Sequence, residues 1–224
     1  MPAGEYFFKL IMLGASGVGK TCIIQRFCND VYEGPAHKTT LGFDFLTKSI
    51  EHKGKKVSLE VWDTAGQEQY KAVTKMYYKD VHGAFLVYDT TDQSSFDKVK
   101  FWLDDLEMNG NKLEKRILVG SKIDLGQKRE VSLYEAKKFA LDRNLEWMEC
   151  SSKSGEFVDE LFEFLIDKII LSYETDDEFK QIACRNTVVS VGPPISEADE
   201  MHRSQGYKLH REKLVKKGKK GTCC

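Results

Sequence analysis

The chain has 224 residues, 41% of them hydrophobic and 31% charged, with a formal net charge of −1, which leaves room for a sizeable core in one domain plus an extension or in two small domains. The charge is unevenly spread: 24 Lys/Arg face 27 Asp/Glu before Tyr173, seven acids face two bases over Tyr173–Glu200, and eight bases face one acid over Met201–Cys224. A nearly neutral body with a basic end argues against nucleic-acid binding and for a partner met by the tail, such as an anionic membrane surface.

The N-terminus "MPAGEYFFKL" lacks the basic and apolar regions of a secretory signal, and no apolar run reaches the roughly 18–20 residues of a membrane span. Tyr6–Leu13 is apolar and stops at a glycine-rich loop, as a strand does; a helix is predicted over Lys20–Cys28. "LGFDFLTKSI" and "KKVSLEVWD" flank "EHKGK" as two strands of a hairpin turning at Gly54. Gly83–Asp89, "GAFLVYD", is a continuous apolar run suited to a strand buried on both faces. Phe96, Val99, Trp102, Leu103 and Leu106 follow at helical spacing and are read as core. Strand "RILVG", helix "SLYEAKKFALDRN", strand "LEWMEC" and helix "EFVDELFEFLIDKII" complete the alternation. Strands alternating with helices imply a mostly parallel, doubly wound α/β sheet. Beyond residue 172 the periodicity stops, and the last segment reads as a flexible tail. Cys22, Cys28, Cys150 and Cys184 are scattered, and none of the six cysteines has disulfide or zinc-ligand spacing, so reduced intracellular thiols are expected.

Gly14-Ala-Ser16-Gly17-Val18-Gly19-Lys20-Thr21 fits G-x-x-x-x-G-K-[ST], between a strand and a helix as its mechanism requires. Glycines let backbone N–H groups turn inward around phosphates, and the helix N-terminus adds a favourable dipole. Lys20 is placed to reach the β/γ-phosphates, and the Thr21 hydroxyl to bind Mg²⁺. "VSLEVWDTAGQEQY" ends a strand at Asp63, where a carboxylate suits a partner of that ion. Gly66 offers an N–H to a terminal phosphate, and Gln67 can orient a water for in-line attack. "RILVGSKIDLG" ends an apolar strand in Ser121-Lys122-Ile123-Asp124, which taken alone is an ordinary turn.

Together these motifs resemble the Ras superfamily of small GTPases. "TLGFDF" (Thr40–Phe45), "WDTAGQE" (Trp62–Glu68), "MYYKDVHGAFLVYD" (Met76–Asp89) and the terminal Cys-Cys are similar to its Rab branch, over about residues 5–172. The resemblance implies a P-loop small GTPase fold: a six-stranded sheet with one antiparallel strand and about five helices. It divides the chain into a G domain over 1–172 and a hypervariable tail over 173–224. It implies GTP/GDP bound at Ser16 through Cys22, with Mg²⁺ at Thr21, Thr40 and Asp63, and catalysis by Gln67 and Lys20. Thr40 is the γ-phosphate sensor that this family carries, with Thr39 as the alternative. Tyr32 matches an aromatic set edgewise on guanine; its other reading is an exposed loop residue. Glu68 and Tyr70 fall in the second switch, where Gln69 replaces the usual Arg.

In the family the strand after the third helix ends in Asn-Lys-x-Asp, whose carboxylate accepts from two guanine donors that adenine lacks. Asp124 occupies that place, and the stem of Lys122 would cover the ring. Ser121 stands where the family has Asn, so at least one of that side chain's bonds should be missing or bridged by water, with weaker binding or faster exchange by about 1–2 kcal/mol. Ser151, Ser152 and Lys153 in "ECSSK" resemble the loop that offers a backbone N–H to guanine O6. Cys223 and Cys224 after a lysine-rich run look like a doubly prenylated Rab ending, a stable membrane anchor. The partners so implied are an exchange factor, an activating protein, effectors, a dissociation inhibitor and a membrane, with no nucleic acid. The location implied is the cytoplasmic face of intracellular membranes, with a soluble pool. Two other readings stay open: a nucleotide-binding module with negligible hydrolysis, motivated by Ser121, and a P-loop kinase or ATPase, which Asp124 disfavours.

Overall fold

The computed structural model describes residues 6–32, 34, 43–64, 78–110 and 115–175. In chain order these form β1 (Tyr6–Leu13), α1 (Lys20–Asn29), β2 (Phe43–His52), β3 (Lys55–Thr64), β4 (Gly83–Asp89), α2 (Gln93–Asp97), α3 (Val99–Asn109), β5 (Lys115–Ser121), a 3₁₀ turn (Ile123–Lys128), α4 (Leu133–Asp142), β6 (Glu146–Glu149) and α5 (Val158–Thr175).

The six strands make one sheet in the order β2-β3-β1-β4-β5-β6. β2 runs antiparallel to β3, and every other pair is parallel. The β2–β3 hairpin turns at Lys53 and Gly54, both at positive φ (50° and 74°), which is the backbone that a two-residue hairpin turn needs. All seven residues of β4 are buried, as the unbroken apolar run demands. Two local signals start helices: Asp92 accepts from the Ser94 and Ser95 N–H groups ahead of α2, and Ser132 from Glu135 N–H ahead of α4.

Both faces of the sheet are covered. On one, α1 and α5 bring Ile23, Ile24, Phe27, Leu161, Phe162, Leu165, Ile166 and Ile169 against Leu10, Met12, Val61, Phe85 and Val119. Phe27 and Phe162 stack at 3.7 Å between ring centroids, locking those two helices together. On the other face, Phe96, Val99, Trp102, Leu103, Leu106, Ala136 and Ala140 pack on Ile11, Leu13, Leu86 and Leu118. Burying each such Leu, Ile or Phe contributes about 1.5–3 kcal/mol relative to exposure. The predicted helical stripe from Phe96 to Leu106 is buried throughout, but two helices share it: Lys98 stands between α2 and α3. α5 continues to Thr175, past the expected boundary at 172. Among the described residues no helix is long and apolar enough to cross a membrane.

Candidate functional site

β1 lies between β3 and β4, with helices leaving to opposite faces, so its C-terminal end is the switch point of the sheet. There Gly14 has φ 149°, and a Cβ on it would sit 2.2 Å from the Val87 carbonyl oxygen. Only glycine lets the loop pass so close to β4. Gly17 and Gly19 also have positive φ (80° and 97°), and Gly19 caps α1 without any side-chain bond to the first turn. The first N–H groups of α1 therefore face the loop as donors for an anion. Ser16 and Gly17 are exposed, Val18 and Lys20 are buried, and Thr21 and Cys22 are half-buried.

Lys20 folds back over the loop, its Nζ donating to the carbonyls of Gly14 (2.9 Å) and Ala15 (2.8 Å). Burial pulls its pKa down to about 8, partly offset by the charge of Asp63. Even so, the ammonium is mostly protonated at neutral pH and sits where an anion could displace two weak acceptors. Thr21 Oγ1 donates to Asp63 Oδ2 at 2.5 Å. The β1–β3 register sets Asp63 opposite Met12, just before the loop, which is how a residue forty-two positions away comes to meet Thr21. A hydroxyl and a carboxylate in contact fit Mg²⁺, which usually takes one or two protein oxygens and completes its shell with phosphate and water.

The second half of the site hangs from the ends of β5 and β6. Ser121 closes β5 and is 2% exposed. Its hydroxyl lies 2.6 Å from the Val18 carbonyl and 2.9 Å from that of Tyr88, donating to one or the other. The tie to the phosphate loop is thus kept by serine, but its single proton is spent within the chain. Lys122 follows in the left-handed region (φ 63°). Its Nζ donates to the Gly17 carbonyl (2.7 Å) and pairs with Asp89 (2.6 Å), laying the stem across the loop. Asp124 accepts from the Ser151 hydroxyl at 2.7 Å and has Lys153 Nζ at 3.8 Å. Tyr32 is 37% exposed. Slight burial raises the pKa of its phenol, and the nearby Cys22 and Asp124 raise it further, which sets Tyr32 beside the Asp124 end of the site.

Ser16–Cys22, Tyr32, Asp63, Ser121, Lys122, Asp124 and Ser151–Lys153 therefore gather at one end of the sheet. Thr40, Gly66 and Gln67, the alternative Thr39, the switch residues Glu68, Gln69 and Tyr70, the tail beyond Thr175 and its Cys223 and Cys224 lie outside the described residues.

Three contributors escape a reading of motifs. Asp89 pairs with Lys122 and also accepts from Thr91 N–H and Oγ1 (2.9 and 2.8 Å). Arg129 grips Glu149 with two parallel bonds (2.7 and 2.8 Å), joining the Asp124 turn to the end of β6. Arg26 reaches from α1 to the carbonyls of Ser152 and Lys153. The acidic end of the β4 run was visible for Asp89; nothing local marked the two arginines.

The Ras family model matches residues 9–171. Ras-related protein Rab-8B of Homo sapiens is 41% identical over 158 residues, 70% of this chain and 76% of that protein. Ras-related protein Rab-13 of Canis lupus familiaris is 41% identical over 169 residues, 75% of this chain and 83% of that protein. GTP-binding protein ypt1 of Schizosaccharomyces pombe is 42% identical over 161 residues, 72% of this chain and 79% of that protein.

Proposed function

The chain belongs to the Rab branch of the Ras family of small GTPases, and from that premise we propose that it is a membrane-attached switch of vesicle traffic, recruiting effectors with GTP bound and releasing them after slow hydrolysis. One observation carries this reading: the phosphate loop and the Asp124 turn are one connected framework. Ser121 ties to Val18 and Lys122 to Gly17 within 3 Å, which supports a nucleotide with its phosphates on the loop and its base at Asp124.

In this proposal Lys20 exchanges the Gly14 and Ala15 carbonyls for β/γ-phosphate oxygens, a neutral pair of acceptors for charged ones. Thr21 and Asp63 hold Mg²⁺, which when bound offsets charge on the phosphates. Asp124 accepts from guanine N1–H and the 2-amino group. Adenine would leave the carboxylate facing an unmatched edge, which costs about 1–3 kcal/mol per unpaired group. Ser152 and Lys153 offer backbone N–H groups toward O6. Gln67 orients the attacking water, Gly66 and Thr40 sense the γ-phosphate, and an activating protein supplies further charge in the transition state. An exchange factor, effectors and a dissociation inhibitor act on the same two states. The G domain over 1–172 is followed by a tail whose basic run and prenylated Cys223 and Cys224 give two membrane signals, enough for stable attachment to the cytoplasmic face of an intracellular membrane, with a soluble pool.

The test is to denature freshly purified protein and identify the released nucleotide by chromatography. GDP or GTP is expected; an adenine nucleotide overturns the reading. Single-turnover hydrolysis of loaded GTP, with and without an activating protein, then separates a switch from a silent binding module.

A further inference from the structure

Arg26, on α1, is 20% exposed and spends its whole guanidinium on backbone and one carboxylate. Nε donates to the Ser152 carbonyl at 2.8 Å and Nη2 to the Lys153 carbonyl at 3.1 Å. Nη1 donates to Asp30, at 3.2 Å to the carbonyl and 2.8 Å to Oδ1. Its stem passes under Gly155, where a Cβ would lie 3.9 Å from Cδ.

These contacts bear on direction as well as attachment. No peptide bond among the described residues is cis, and in a trans peptide the carbonyl and the following N–H point opposite ways on a rigid plane. Holding the Ser152 carbonyl therefore aims the Lys153 N–H. In the same way Gly155 N–H holds the Ser151 carbonyl at 2.8 Å, which aims the Ser152 N–H. The Lys153 carbonyl is held by Arg26, and the Ser154 N–H on the same plane donates to Ser151 Oγ at 3.1 Å. Every polar backbone group from Ser151 O to Ser154 N thus has a partner except the Ser152 and Lys153 N–H groups, which have none among the described residues. Two preset donors sit side by side, one aimed by Arg26. At the other end of the guanidinium, Asp30 is the left-handed cap of α1, two residues before Tyr32.

We propose that Arg26 is a positioning residue for nucleotide retention: it presets the Lys153 N–H beside the Ser152 N–H that Gly155 aims, and links this loop to the chain leaving α1 at Asp30. This rests on the reading of the site as a guanine-nucleotide site. A nucleotide held by preset donors leaves slowly because leaving exposes them unpaired. Once Arg26 is removed the loop relaxes, and the nucleotide's bonds to it are no longer prepaid in order. The effect falls on release more than on capture, which the phosphates dominate.

The experiment loads the full-length chain with fluorescent GDP and Mg²⁺ and follows release and association separately. Arg26→Met keeps the apolar stem and a good helix former while deleting every donor. Release should accelerate about tenfold or more, as expected for two charge-assisted bonds, with association changed less than about threefold. Arg26→Lys, a single-point donor that can serve one carbonyl, should fall between the two. Asp30→Ala should change release less than about threefold, because Asp30 is 91% exposed in its pair with Arg26. Arg116→Met breaks a comparable ion pair with Glu107 (2.8 Å) at the far end of β5, and should leave release unchanged. Release by Arg26→Met within twofold of the parent overturns the proposal, as does equal acceleration by Arg116→Met. Failure of the parent chain to hold GDP at all would instead overturn the functional reading itself.

Discussion

The phosphate end and the base end of this site are built on opposite plans. At the phosphate end the donors are backbone N–H groups and one buried ammonium, and Lys20 donates to the neutral carbonyls of Gly14 and Ala15, with the charge of Asp63 nearby. Desolvation works against its charge, so the loop is poised for an anion that it does not itself contain. At the base end the charges are already answered: Lys122 by Asp89, Arg129 by Glu149, and Asp124 by Ser151 with Lys153 near. The first plan stores unmet electrostatic demand, which gives affinity for any polyphosphate. The second fixes geometry, which gives discrimination but less raw binding.

Removing the ammonium breaks the comparison hardest. Lys20→Met should lower GDP affinity by at least about a hundredfold, since charge-assisted contacts to two phosphates disappear. Thermal stability of the nucleotide-free protein should stay within about 1 kcal/mol of the parent, because the lost bonds are offset by relief of a desolvated charge. An equivalent cut at the base end, through Arg129 or Arg26, should do the reverse in proportion: a smaller affinity loss per bond, but a looser framework. Titration calorimetry and thermal unfolding of nucleotide-free protein check both halves.

Much of this division could be read in advance, and the reasons differ by element. The phosphate loop is contiguous, so its glycines, lysine and threonine carry their geometry in their spacing; Gly14, Gly17 and Gly19 do adopt the positive φ the motif needs. β4 was legible because burial on both faces leaves no polar position. The break at Lys98 was not, since Lys98 itself has right-handed helical φ and ψ (−78°, −12°) and the apolar stripe runs straight across it. The supports of the base end were invisible for a different reason. Arg26 meets Ser152 across 126 positions and Lys122 meets Gly17 across 105. Contacts at such separation follow from strand order, and a single arginine on a helix surface leaves no periodic trace of which loop it will reach.

Acidity sharpens the comparison next. With the Lys20 pKa near 8 in the nucleotide-free fold, GDP affinity should be flat below about pH 8. Above it, binding must recover a proton for the ammonium, so affinity should fall by up to about 1.4 kcal/mol per pH unit until the ordinary lysine range is reached. Stability without nucleotide takes the opposite sign. Between about pH 8 and the ordinary lysine value of 10.5 the unfolded chain holds a proton that the native lysine has lost, so this residue's contribution to stability rises with pH. Subtracting the Lys20→Met curve isolates it from the other alkaline groups. No titrating group of the base end is required for either slope, so a variant altered only there should keep both.

The smallest expected effect sits where the two ends join. Ser121 has one hydroxyl proton and two carbonyls in reach, Val18 and Tyr88, so none remains for a base edge. An asparagine amide brings two N–H donors and an acceptor from the same strand position. It can keep the Val18 tie and still offer a bond to the nucleotide. Ser121→Asn should therefore slow GDP release about five- to tenfold, the worth of one net hydrogen bond, while the guanine/adenine preference stays unchanged, because Asp124 and its partner Ser151 are untouched. Release rates of fluorescent GDP and competition by ATP measure the two quantities. An unchanged release rate would mean that the connection to Val18, which serine already makes, is all that position 121 contributes to retention. A changed preference would mean that the base is discriminated by position 121 as well as by the carboxylate.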